Sequence, residues 1–307
     1  MTEAPAEAET GRRRIADRLR DGRHAVALMS ANHSPEAQRL TPEIVAYMAK
    51  RGVEVRLEPA HGADLALVLS LGGDGLMMRA ARRYPDLPIL GVNFGHLGFL
   101  TAAEAGAWRS AIDRVLDDDF QLRVGPTLAA RVVTAEGRQV ADLGWAVNDV
   151  VVHGGLRMVH PQLFVDGQYV NDYPGDGMVV ATPAGSTAYC MAAGGPVLVS
   201  GVGGVAVVPI NCHSPIRVSL VVPIDVELGI RLDGRNSAKL ILDGETEGFP
   251  ELEAGDTVFV KKGRHSFHQI SFRSFDWFAA FQSKFNYQIR RGGRVPTLPP
   301  QLGGTGR

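Results

Sequence analysis

Over roughly the first 120 residues, short uninterrupted apolar runs alternate with segments whose apolar positions recur every three or four residues. His24 to Ser30 (HAVALMS) predicts a buried strand. Ser34 then supplies an N-cap and Pro35 the first helical position of a helix reaching about Lys50, closed by Gly52. Val53 to Leu57 predicts a second strand, and Asp64 to Ser70 (DLALVLS) a third, apolar enough to lie at the centre of a parallel sheet. A short helix over Leu76 to Arg83, a strand over Pro88 to Asn93 and a helix over Ala102 to Leu116 follow. Strands alternating with helices imply βαβ units and a doubly wound parallel sheet.

The pattern changes near Phe120 to Thr127. Val- and Ile-rich runs then recur with turns between them: Ala129 to Val133, Ala146 to Val152, Gln162 to Val165, Gly177 to Thr182 and Val205 to Ile210. Val218 to Val222, Val226 to Leu232, Ala238 to Leu242 and Thr257 to Lys261 continue the series. Asp166-Gly167, Asp233-Gly234 and Asp243-Gly244 are turn signals, and one helical stretch, Ser186 to Ala193, interrupts the strands. The expected architecture is an α/β N-terminal domain with a doubly wound parallel sheet, residues 24–124, followed by a β-rich, sandwich-like domain, residues 125–289. Residues 1–23 read as a flexible tail, and residues 290–307, without an acid and rich in Gly and Pro, as a disordered one.

Composition narrows the function classes. The 307 residues carry 32 basic and 33 acidic side chains, so no electrostatic footprint for nucleic acid exists at the level of the whole chain. Cys190 and Cys212 are the two cysteines, too few for a disulfide scaffold. The first residues lack the apolar stretch of a secretory leader, and no apolar window approaches a membrane span. A soluble, cytoplasmic protein is expected, with neither nucleic acid nor membrane as a partner.

Three features could carry chemistry. Gly72-Gly73-Asp74-Gly75 directly follows the third strand, where glycines let backbone amides approach a bulky anion and Asp74 would stand at the carboxyl edge of the sheet. The same turn with Asp74 as a mere helix cap is the competing account. Gly175-Asp176-Gly177 and Thr182 to Tyr189 (TPAGSTAY) lead a strand into a helix start, a ready phosphate or ribose site, with Tyr189 placed to stack on a base. Alternatively, Ser186 and Thr187 are caps and Tyr189 belongs to the core. Asn148-Asp149 interrupts an apolar run, as ligand-facing groups or as ordinary turn chemistry. Gly201 to Ala206 fits G-x-G-x-x-A, but a strand follows it, which argues for a turn rather than a dinucleotide fingerprint. P-loop, H-E-x-x-H and nucleophile-elbow patterns are absent, and the histidines show no metal-ligand spacing.

Taken in order, these segments resemble the NAD kinase family, whose Gly-Gly-Asp-Gly signature is shared with diacylglycerol kinases and phosphofructokinases. The similarity rests on GGDG at 72–75, LPILGVNFGHLGFL at 87–100, NDVVVH at 148–153, GDG at 175–177, TPAGSTAY at 182–189 and AGGP at 193–196. The resemblance implies transfer of the γ-phosphoryl group of ATP to the 2′-hydroxyl of the adenosine ribose of NAD, giving NADP. It implies Asp74 as general base and the amides of Gly72, Gly73 and Gly75 as holders of the donor phosphates. Asn148, Asp149, Asp176, Ala184, Thr187, Ala188, Tyr189 and Ala192 would bind the acceptor, joined by Arg157, His213 and Glu245. Mg²⁺ would arrive with ATP, no protein metal site is implied, and the chain would assemble as a homodimer or homotetramer. Leu76, Asp149, Pro174, Ala192 and Glu245 depart from the family's usual residues, mostly at acceptor-facing positions. They motivate the alternative of a same-fold kinase acting on a different nucleoside or nucleotide; a non-catalytic nucleotide binder is the third reading, opposed by Asp74.

Overall fold

The computed structural model describes residues 15–20, 22–60, 64–94, 98–140, 143–213, 217–272 and 281. The chain divides into a unit ending at Arg273 and a second unit beginning at Ser274. The tail expected at 290–307 lies outside the described residues, as do residues 95–97 of the NFGHLGFL segment.

The alternating pattern of the first half forms as expected. β1 (Ala25–Ser30), β2 (Val55–Leu57), β3 (Leu65–Leu71), β4 (Ile89–Asn93) and β5 (Ala103–Glu104) pair in parallel in the spatial order 2-1-3-4-5. Helix α1 (Pro35–Ala49) starts where Ser34 accepts a hydrogen bond from the Ala37 amide, with Pro35 in its first turn. It buries Leu40, Ile44 and Met48, each worth about 1.5–3 kcal/mol on leaving water. α1 and α3 (Trp108–Leu116) cover one face of the sheet, whereas α2 (Asp74–Arg83) covers the other with Leu76, Met77, Ala80 and Ala81. Helices on both faces are the doubly wound arrangement. Two local expectations change. The stretch 102–107 is a short strand and a 3₁₀ turn before α3 begins. Residues 15–20, expected in a flexible tail, are helical; Ala16 is buried, and Ile15 and Leu19 join the core that α1 and α3 cover.

The second half contributes β6 (Gln121–Val133), β7 (Gln139–Val140), β8 (Trp145–Ala146), β9 (Asp149–His153), β10 (His160–Val165), β11 (Gln168–Asp172) and β12 (Gly177–Ala181). α4 (Tyr189–Ala192), β13 (Gly204–Ile210), β14 (Leu220–Pro223), β15 (Leu228–Asp233), β16 (Ala238–Leu242), β17 (Glu251–Leu252) and β18 (Thr257–Ser271) follow. β13 does follow the Gly-rich 201–204 segment, which is a turn. One sheet, in the order β14-β13-β12-β9-β16-β17, faces β6, β10, β15 and β18 across a common apolar core. This is the expected sandwich. The period of two is strict: Val150 and Val152 of β9, with Met178 and Val180 of β12, point into that core. Val151, Val179 and Ala181 point the other way, against Cys190 and Leu198. The second sheet is therefore covered on both sides.

The halves are not separate sheets. β18 pairs in parallel with β4 at Gln269↔Ile89, so the parallel sheet of the first half continues into the second. The compositional break at 120–127 falls within β6, a strand of 13 residues.

Candidate active site

In the order 2-1-3-4-5 the chain reverses direction of winding between β1 and β3, and ligands bind such sheets beyond the carboxyl ends of the strands at that crevice. The loop after β1 carries Ala31 and His33, and Gly73 and Gly75 flank Asp74 where β3 gives way to α2. Ala31, His33, Gly73 and Gly75 line one cleft of ≈ 370 Å³, together with Met78, Arg79 and Arg82 of α2 and the Asp243-Gly244-Glu245 turn. The Gly-Gly-Asp-Gly turn and the Glu245 turn, far apart in sequence, thus share a wall.

The glycines of this turn serve different ends. None has positive φ. A Cβ at Gly72 would meet Leu76 Cδ2 at 2.8 Å, so Gly72 is small for packing rather than for an anion. Gly73 and Gly75 are exposed with open space around them and can admit a phosphate group. Leu76 is buried under the turn.

Asp74 opens α2, but its side chain does not cap the helix. Its Oδ2 accepts the Phe99 amide at 2.9 Å and its Oδ1 the Leu100 amide at 3.0 Å. The half-buried carboxylate is thereby held between two loops at the strand ends. A Cβ at Gly98 would stand 1.9 Å from Asp74 Oδ1, which explains a glycine there. The sequence did not single out Gly98 or the two amides. A side chain needing close approach leaves its only trace on another segment.

On the sandwich side, antiparallel pairing of Leu242 with Val150 sets Asp243 opposite Asp149. Asp243, its side chain wholly buried, accepts the amides of Val147 (2.8 Å), Asn148 (2.7 Å) and Asp149 (3.3 Å). Asp149 is 5% exposed, and burial beside the Asp243 charge pushes its carboxyl up to about 7. Burial raises Asp243 as well, against the pull of its three amides and of Arg82. Asn148 Oδ1 is buried without a hydrogen-bond partner among the described residues, an acceptor left for a ligand. Asp176 is tied to Asn211 Nδ2 at 2.7 Å, and its charge reaches Tyr189, whose phenol is raised by burial, by Asp176 and by Asp149. Asn148, Asp149, Asp176 and Tyr189 are therefore one neighbourhood. Cys190 beneath them is pushed up to about 11 by burial and by Asp149, so its thiol is inert near neutral pH.

TPAGSTAY leads into less helix than the expected Ser186 to Ala193 stretch. Gly185 to Thr187 is a 3₁₀ turn and α4 has four residues. Ser186 is wholly buried; its Oγ accepts the Leu198 amide at 2.9 Å and donates to Pro183 O at 2.7 Å. Thr182, not Ser186, caps the turn, accepting the Gly185 amide at 3.1 Å. Gly185 lies where a Cβ would sit 2.1 Å from Asn148 O. A glycine at 185 therefore lets the turn press against the Asn148 backbone. Tyr189, at 39% exposure, is not a core residue, and Ala184, Thr187, Ala188 and Ala192 flank it on the same surface turn. His213 lines a second cleft of ≈ 570 Å³ with Asn211, Cys212 and Arg217. Arg157 stands apart, on the exposed turn between β9 and β10, and lines neither cleft.

Comparison with known proteins points the same way. Residues 6–120 match the model of the ATP-NAD kinase N-terminal domain, and residues 147–272 that of the ATP-NAD kinase C-terminal domain. A NAD kinase of Thermomicrobium roseum is 45% identical over 266 residues, covering 86% of this chain and 91% of that protein. A NAD kinase of Mycobacterium tuberculosis is 36% identical over 250 residues, covering 78% and 80%. Among solved structures, yeast NADH kinase complexed with NADH superposes with a TM-score of 0.79 at 18% identity, covering 89% of this chain and 90% of that one. An NAD kinase from Archaeoglobus fulgidus in complex with ATP gives 0.67 at 22% identity, covering 85% and 97%. These two likenesses establish the fold.

Proposed function

The chain belongs to the NAD kinase family, and on that premise we propose how its residues divide the work. The reaction is ATP-dependent phosphorylation of NAD to NADP. Asp74 faces the ribose 2′-hydroxyl of NAD as general base and hydrogen-bond orienter. The observation that carries this assignment is its position: a carboxylate at the switch point of the parallel sheet, fixed by the Phe99 and Leu100 amides beside the open Gly73 and Gly75.

Phosphoryl transfer passes through a loose transition state, so positioning and charge neutralisation supply most of the acceleration. Gly73 and Gly75 leave room for the donor phosphates against their amides, with Arg79 and His33 on the same wall. Mg²⁺ would arrive with ATP, held by the nucleotide, and would supply charge neutralisation at the transferring phosphoryl group. Asn148, with its free Oδ1, and Asp149 meet the acceptor ribose, and Tyr189 offers a ring face to a base. Asp176 holds the neighbouring Asn211. Arg157 and His213 would serve parts of the dinucleotide farther from the transfer. Glu245 is engaged by Arg82, so its difference from the family pattern is absorbed within the chain and does not require another acceptor. We also propose a homo-oligomer working in the cytoplasm; exposed Leu156, Tyr169 and Val170 support the assembly, which light scattering would measure.

The test is turnover of NAD with MgATP, read as NADP by a coupled dehydrogenase, and ATP consumption across a panel of NAD, NADH and other nucleosides and nucleotides. Asp74→Asn should lower kcat by about 10²–10⁴-fold with the fold intact by circular dichroism. Full activity of that variant would remove Asp74 from the mechanism.

A further inference from the structure

We propose that Arg82 is a positioning residue for the acceptor side of the site: from the helix that follows Gly72–Gly75 it holds the 242–245 turn and, through Asp243, the Asn148–Asp149 corner in the shape that receives NAD. The inference rests on the acceptor role of that corner given above.

Arg82 is reached from the sequence only through the fold. It lies three residues beyond Arg79 and seven beyond Gly75, on the face of α2 that lines the cleft. Its Nη2 donates to Glu245 Oε1. Its Nη1 stands 3.5 Å from Leu242 O and 3.9 Å from Asp243 Oδ2. One guanidinium therefore reaches three of the four residues of the 242–245 turn, which its planar fork suits and a Lys ammonium does not. The Arg82 side chain is 19% exposed, so solvent screens these contacts only in part.

What the turn holds makes the contact consequential. Asp243 gathers the amides of residues 147–149, so any shift of the turn moves the backbone that carries Asn148 Oδ1 and the Asp149 carboxyl. Asp243 also faces Asp149, which Tyr189 and Cys190 face from α4. Burial raises both carboxyls, and Arg82 is a cation whose field joins the three amides in opposing that rise at Asp243. Arg82 thus joins the segment of the N-terminal family model to that of the C-terminal one by a contact spanning 163 residues.

The experiment compares wild type, Arg82→Met and Arg82→Lys in the full chain. It reads KM for NAD and for ATP, NAD binding by calorimetry, thermal stability, and the pH profile of kcat/KM for NAD. Arg82→Met should raise KM and Kd for NAD by about 10–100-fold, as for an angstrom-scale displacement of binding groups, and KM for ATP by a clearly smaller factor. Its acid limb should move to higher pH, because the Asp149–Asp243 pair loses its cation. Arg82→Lys should keep the limb near the wild-type position and recover only part of the affinity. Proportional loss for both substrates together with a lowered Tm, or unchanged NAD affinity and an unchanged limb, overturns the proposal. If Arg82→Met fails to fold, the same split in Arg82→Lys decides. Failure of wild type to bind or phosphorylate NAD would instead strike the functional reading on which this one rests.

Discussion

Replacing Asp149 by Asn should make the free protein more stable while impairing the enzyme. The carboxyl is raised from 3.8 to about 7 because it is buried beside Asp243. Below pH 3.8 it is protonated in folded and unfolded chains alike and has no effect on their balance. As pH rises from there toward 7, the unfolded chain ionises first and the native state loses stability. Above 7 the full deficit persists. A gap of roughly three pH units corresponds to about 4 kcal/mol at 1.36 kcal/mol per unit. Asn has nearly the same shape and no charge, so it should recover most of that at pH 8 and much less at pH 5, a difference of about 3 kcal/mol between the two conditions. Denaturant unfolding at both pH values measures this, and in a thermal scan at pH 8 the gain should be on the order of 10 °C. The variant should also lose kcat/KM for NAD, since it removes an ionised group from the acceptor neighbourhood, a conflict of stability with activity common at functional sites. An Asn advantage of equal size at pH 5 and pH 8, or none at pH 8, would refute the reasoning.

Two further outcomes follow from the geometry. Gly98→Ala places a methyl group 1.9 Å from Asp74 Oδ1 and must displace the carboxylate or its loop; kcat should fall by at least ~10²-fold, as for an angstrom-scale misplacement of a reacting group, and unchanged steady-state kinetics would contradict it. Ser186→Ala removes a wholly buried hydroxyl with two strong partners; it should lower stability by about 1–3 kcal/mol in urea unfolding, and a variant of wild-type stability with impaired NAD affinity would restore the phosphate-or-ribose-site reading.

The amino-acid sequence by itself determined the parallel strands, the sandwich and the place of the Gly-Gly-Asp-Gly turn, because these follow from period, caps and turn residues that act within a few positions of one another. Asp74 was legible for the same reason: a polar residue on a glycine turn directly after an apolar strand is a local signal. What the local pattern could not decide was direction and company. Ser186 and Asp149 are both polar residues beside strand ends, yet one turns inward to brace Leu198 and the other meets a second carboxylate from the turn after β16. Nor did residues 15–20, read as tail, carry a pattern long enough to announce their place in the core. The pairing of β4 with β18, the amides that hold Asp74 and the reach of Arg82 to Glu245 each join residues more than 20 positions apart. Such contacts exist only once the chain has closed on itself, since their energy depends on burial and geometry that no single segment possesses.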